Sequence, residues 1–129
     1  MKQNLTPAII IFLLIALISC CFYSGHLLDK VSQQLLTDVN ALEILLADKN
    51  WEAALALQEQ LAKQWEKEQK TWALMLDHQE LEKITGSLTR LKSRLMQQNH
   101  EEAEMELSSL GYLISHVPEK EKLTLENFF

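Results

Sequence analysis

The apolar run from Leu5 to Tyr23 constrains this chain more than any other feature. Between Ala8 and Tyr23 the only polar side chain is that of Ser19, whose hydroxyl can donate to a helix carbonyl. As a helix the run rises about 28 Å, close to the roughly 30 Å hydrocarbon thickness of a bilayer. The sequence therefore predicts a short N-terminus (residues 1–4), a transmembrane anchor (5–23) and a separate domain (24–129).

The charges around the run predict its orientation. Lys2 carries the only positive side chain before it, so the N-terminus is expected to stay in the cytoplasm. Phe22 and Tyr23 are typical of the aromatic belt that closes a spanning helix at the membrane interface. We therefore expect a single-pass protein of the cell membrane whose C-terminal domain lies outside the cytoplasm.

Two other interpretations of the N-terminus remain open. The segment Leu17-Ile18-Ser19-Cys20 resembles the lipobox of bacterial lipoproteins, in which the cysteine becomes lipidated, although apolar residues follow Cys20. A cleaved signal peptide is the other interpretation, but its small-x-small cleavage site is poorly formed here. Each alternative also places the domain outside the cytoplasm.

Composition limits what the remaining residues can form. The chain has 129 residues, which leaves room for one small domain beyond the anchor. With 3 Gly and 2 Pro there are few turn formers, which favours long helices. A net charge of −6 argues against nucleic acid as a partner, and no cysteine outside the apolar run could form a disulfide framework.

Apolar residues recur at intervals of three and four in four later segments, which predicts helices. Breaks are expected at residues 48–50, 77–79 and 97–99, with Asn50 as an N-cap. Pro118 is expected to end the fourth helix, and the apolar tail Leu123–Phe129 to fold back on the bundle. The predicted fold is all-α, with the transmembrane helix followed by a small antiparallel bundle of about four helices.

One internal similarity supports paired hairpins. Residues 46–54 match residues 95–103 in pattern, and Leu61 then corresponds to Leu110. Two helical hairpins of similar design would produce this match, as would a tetratricopeptide-like pair or the chance recurrence of helix-capping residues.

Three tryptophans are the most distinctive side chains of the domain. Trp51, Trp65 and Trp72 share one heptad position with Gln58, and Met75 is expected in the neighbouring stripe. Such a stripe usually belongs to the core, where each ring buries about 150–250 Å², but it could instead stack a ligand or a glycan.

Arg90 adjoins the apolar stripe of the third helix, between Leu88 and Leu91. Its guanidinium is expected either to reach a carboxylate or chain terminus, or to extend along the stripe to water.

Two histidines are weak candidates for a metal site. His78 and Glu82 stand four residues apart, and His116 and Glu119 could supply two further ligands. The alternative is that both histidines are hydrogen-bonded residues at helix ends. No acyl-transfer triad is recognisable, so we expect neither enzymatic activity nor a cofactor.

Several motifs together carry a family resemblance. These are Asn50-Trp51-Glu52-x-Ala54, Trp65, Trp72, His78, Leu88-x-Arg90-Leu91, His116-x-Pro118-Glu119 and Leu125-x-Asn127-Phe128. With them the chain resembles the bacterial family catalogued as domain of unknown function 4363, over nearly its whole length, anchor included. The resemblance implies a small protein with one N-terminal hydrophobic segment, and it implies no activity.

The expected function is that of a membrane-tethered, non-enzymatic interaction or structural module of the cell envelope. Its partners would be the lipid bilayer and another envelope protein or a second copy of the chain. The alternative is a ligand-binding or sensory module that uses the bundle interior or the end carrying His78 and His116. A cavity lined by the tryptophans would favour the alternative, and a filled core would favour the first hypothesis.

Overall fold

The computed structural model describes the backbone of residues 2–74 and 76–128 and the side chains of residues 4–23, 25–74 and 76–117. Throughout this part of the chain the regular structure is helical, without strands. The helices are α1 (Lys2–Ala47), α2 (Trp51–Trp72), α3 (His78–Met96) and α4 (His100–Phe128). The predicted all-α class and four-helix organisation are confirmed.

The helices form an antiparallel, up-and-down bundle. Each helix contacts its neighbours in the sequence, and α1 also contacts α4, which closes the bundle. Ser32 lies beside Ile114, whereas Glu43, later in α1, lies beside Glu104, earlier in α4. The pairs Arg90–Glu106 and Arg94–Glu102 relate α3 and α4 in the same antiparallel sense.

Helix α1 contains both the predicted anchor and the first helix of the bundle. Its 46 residues extend for about 69 Å at 1.5 Å per residue. Side chains 4–20 are exposed, and the first buried core residue is Leu28. Near the N-terminus the helix is apolar and long enough to cross a membrane.

The core is one continuous cluster of aliphatic side chains with two tryptophans. Trp65 and Trp72 meet edge to face with ring centroids 5.2 Å apart. The core residues of the four helices are Leu28, Leu35, Val39, Leu42, Leu46, Ala54, Leu61, Trp65, Trp72, Leu81, Ile84, Leu88, Leu91, Leu95, Ala103, Leu107, Leu110, Ile114 and Val117.

The two turns at the far end of the bundle from the apolar N-terminal segment have the same geometry. Lys49 and Gln98 both adopt positive φ, at 56° and 55°. The amide of the following asparagine then bonds back to the carbonyl five residues earlier, as in a Schellman motif. Asn50 and Asn99 each accept a hydrogen bond at 3.3 Å from the amide three residues later. The internal sequence similarity thus corresponds to two hairpins with the same turn.

The connection between α2 and α3 lies at the opposite end of the bundle. Helix α2 ends at the buried Trp72, and Asp77 accepts a bond from the Gln79 amide to begin α3. Leu74 is 87% exposed, while Leu76 packs partly against the core. Met75, which was expected beside the tryptophans, lies outside the described residues.

The expectations for the C-terminus were wrong. Helix α4 continues through Pro118 to Phe128, so the tail prolongs the helix and does not fold back. A proline removes one amide donor and only disfavours the α conformation of the residue before it, so one proline need not end a long helix. Continuing the helix also pairs the backbone amides of the tail with carbonyls of the preceding turn.

We predict that Trp65→Ala and Trp72→Ala each lower the free energy of unfolding by about 3–5 kcal/mol, because each removes a buried ring from the core. Trp51→Ala should cost less, since Trp51 is only partly buried. Tyr112→Ala, which truncates a ring that is 64% exposed, is the control. Urea unfolding of the full chain in detergent, followed by circular dichroism, measures all four. Wild-type midpoints for the Trp65 and Trp72 variants would contradict the prediction.

Candidate functional site

The two inner tryptophans lie in the core. Trp65 Nε1 donates to Thr85 Oγ1 at 3.0 Å, and Thr85 in turn donates to the Leu81 carbonyl at 3.2 Å. Trp72 is 1% exposed. Both rings are therefore packed against protein and present no open face to a ligand.

Trp51 lies at the turn end of the bundle, where it meets His100 edge to face at 6.4 Å. These residues occupy corresponding positions in the two hairpins. His100 Nε2 also lies 3.1 Å from Glu104 Oε1, while His100 Nδ1 is buried without a hydrogen-bond partner among the described residues. The pair joins the start of α2 to the start of α4.

Gln58 is a polar residue inside the core. Its side chain is 2% exposed, and Nε2 donates to the Leu88 carbonyl at 2.9 Å, which joins α2 to α3. Its Oε1 is buried and has no partner within the described part of the chain. The heptad pattern placed Gln58 with the tryptophans but could not predict which carbonyl it would contact.

Arg90 reaches a carboxylate on the neighbouring helix. Its Nε lies 3.1 Å from Glu106 Oε1, and Ser87 Oγ donates to the same oxygen at 3.0 Å. Ser87 is fully buried, and the Glu106 side chain is 17% exposed. This cluster joins α3 to α4. Sequence reasoning missed Ser87, although its place beside Leu88 on the buried stripe was the available signal.

The structure describes the side chains of three of the four weak candidates for a metal site. His78 Nε2 contacts Glu82 Oε1 at 3.0 Å, and both side chains are largely exposed. His116 stacks on Tyr112, with ring centroids 5.3 Å apart. The side chain of Glu119 lies outside the described residues. Among the side chains that are described, no three His, Cys, Asp or Glu residues are grouped closely enough to hold a metal ion.

An open depression lies between α1 and α4. Its volume is about 460 Å³ including solvent space, and it is lined by Glu43, Leu46, Glu104 and Leu107. Its lining combines two carboxylates with two leucines and includes neither of the two inner tryptophans.

Helix α4 exposes a face without charge, which we call the α4 outer face. It consists of Met105, Ser108, Ser109, Tyr112 and Ser115, all of which are exposed. No Asp, Glu, Lys or Arg occurs from residue 107 to residue 117. This uncharged run was visible in the sequence, and sequence reasoning missed it.

Cys20 and Cys21 lie on the apolar part of α1, outside the bundle. Cys20 is exposed and Cys21 partly exposed, and both are free thiols.

Comparison with known proteins identifies one family. The model for Domain of unknown function (DUF4363) matches residues 22–128. The match begins at Phe22, so it covers the bundle and only the last two residues of the predicted anchor, although the resemblance implies the whole anchor. No curated protein and no solved structure matches the chain.

We predict that Arg90 and Glu106 are coupled by about 1 kcal/mol, because Glu106 is mostly buried and accepts two hydrogen bonds. A double-mutant cycle of Arg90→Ala and Glu106→Gln, read by urea unfolding, measures this coupling. His78 and Glu82 form the matched control, and their exposed pair should couple by less than about 0.5 kcal/mol. Equal coupling in both pairs would show that the burial of Glu106 does not strengthen its interaction with Arg90.

Proposed function

The chain belongs to the DUF4363 family, and on that premise we propose that it is a membrane-tethered, non-enzymatic module that binds another protein of the bacterial envelope. The anchor is the apolar part of α1, and the bundle is the binding domain. The bilayer is the first partner, and an envelope protein that contacts the α4 outer face is the second.

The observation that carries this proposal is the continuity of α1. The segment from Leu5 to Ile18 exposes large apolar side chains on every face of the helix, and none of it packs on the bundle. So much exposed apolar surface is unfavourable in water and favourable in a bilayer. Because the helix continues into the core without a break, the bundle is held directly at the membrane surface.

The charge distribution supports an exported bundle. Lys2 precedes the apolar segment, and cytoplasmic flanks of spanning helices are enriched in such residues. The N-terminus would therefore remain in the cytoplasm, and the bundle would lie on the outer side of the membrane.

The α4 outer face supports binding to a protein. Interface cores are depleted of charge and enriched in aromatic side chains and methionine. This face offers Tyr112 within the uncharged run and Met105 just before it, where Glu104 and Glu106 flank the methionine. The corresponding surface of α2, forty-nine residues earlier, carries Glu59, Lys63 and Glu66 in place of Ser108, Tyr112 and Ser115. The charged surface of α2 shows the composition that this fold has where a helix faces only water.

The interior gives the ligand-binding alternative little support. Trp65 and Trp72 are buried against neighbouring side chains, and the open depression is lined by Glu43 and Glu104. We therefore favour a surface function over an internal binding site.

The orientation can be tested with a reporter that is active only in the cytoplasm. Fused after Phe129, the reporter should be inactive, because the bundle would be exported. The same reporter fused before Met1 is the matched control and should be active. Full activity of the C-terminal fusion would contradict the proposed orientation.

The partner face can be tested by photocrosslinking in intact cells. A photoreactive phenylalanine analogue at Tyr112 should give a discrete crosslinked product that contains a second protein of the membrane fraction. The matched control is the same analogue at Lys63, the corresponding exposed position of α2, which should give none. A product that contains only a second copy of the chain would show that the α4 outer face binds another copy of this protein and not a different envelope protein. Equal crosslinking at both positions, or none at Tyr112, would exclude the α4 outer face.

A further inference from the structure

We propose that the connection between α2 and α3 inserts Leu74 into the membrane interface beside α1. The proposal rests on the membrane tether proposed above, and it adds a second contact between the bundle and lipid. The partner that we assign to this apolar loop is the bilayer itself, at the level where headgroups meet acyl chains.

The composition of the loop is unusual for a surface connection. Ala73, Leu74, Met75 and Leu76 are four consecutive apolar residues, whereas connections in water are normally polar. Leu74 is 87% exposed, more than any other large apolar side chain in the described part of the chain, including those of the apolar segment of α1. Leu76 packs partly against the core, so among the described residues of the connection Leu74 is the large apolar side chain that is open to a protein or a membrane.

The position of the loop selects the membrane. Helix α2 returns antiparallel to α1 from the turn at residues 48–50, so its last residue, Trp72, lies at the end of the bundle where the core of α1 begins. That first core residue is Leu28, and Tyr23 lies only about 7.5 Å before it along the helix. Leu74 follows Trp72 by two residues, so it belongs to the end of the bundle that is nearer to the apolar segment of α1.

The chemistry of the loop fits this site. An interfacial segment buries its apolar side chains about 5–10 Å into the boundary between headgroups and acyl chains, where its backbone can still bond to water. Leu74 can enter this layer, while the exposed Lys70 and Asp77 on either side remain among headgroups and water. Together with α1, this contact would prevent the bundle from pivoting about a single helix.

The test places a fluorescent probe on the full chain in lipid vesicles. In a background of Cys20→Ala and Cys21→Ala, Leu74→Cys is labelled with an environment-sensitive nitrobenzoxadiazole probe. The matched control is Met105→Cys with the same label, since Met105 is also exposed but lies near the distal turns. Vesicles of phosphatidylethanolamine and phosphatidylglycerol are prepared with and without lipids that carry a quenching nitroxide near the headgroup. Flotation on a density gradient reports whether the chain is bound to the membrane at all.

We expect the protein to float with the vesicles, and the probe at position 74 to lose about half or more of its emission to the nitroxide lipids. The probe at position 105 should lose almost none. Flotation with equally weak quenching at both positions would overturn the loop insertion and leave the tether intact. Failure to float would overturn the tether and the loop insertion together. Strong quenching at both positions would mean that the bundle lies flat on the membrane, and that outcome would also overturn the proposed geometry.

Discussion

The rest of the structure depends on the continuity of α1. One helix supplies an apolar surface on every side over its first half and an apolar stripe on one side over its second half, and the change occurs near Ser24, Gly25 and His26. The segment before this point finds no cover within the described residues, while Leu28 and the residues after it supply one wall of the core. Because a helix satisfies its own backbone groups, the same element can lie in lipid and in a protein core without a break.

A few polar side chains fix how the helices pair. Ser32 bonds to the Ile114 carbonyl across α1 and α4, and Gln58 bonds to the Leu88 carbonyl across α2 and α3. The Arg90–Glu106 contact joins α3 to α4 in the same way. Aliphatic stripes can slide by one turn at modest cost, whereas a buried donor that loses its acceptor pays a large desolvation penalty. These bonds therefore favour the register that the helices adopt.

Local signals in the sequence were enough to predict four helical segments and the turns between them. The three-and-four spacing located the core residues, and Asn50 marked the start of α2. The polar bonds between helices were not predictable, because the partners of Ser32 and Gln58 depend on the pairing of distant segments. The continuation of α4 through Pro118 was missed for a different reason, since a local preference of the preceding residue was treated as a stop. The α4 outer face was not predicted, because serines with one tyrosine form no motif and the face of α4 that stays exposed depends on how the helices pack.

The two hairpins provide an internal comparison that separates stability from function. Both use the same turn, and both place leucines and an alanine at matching core positions, so the requirements of the fold are met in each. What differs lies outside those requirements. Helix α2 is solvated through charged residues such as Lys63, whereas α4 carries Tyr112 at the corresponding place. The first hairpin folds with a charged surface on α2, so the fold does not require the uncharged surface of α4. This difference is the strongest reason to expect that α4 faces a partner.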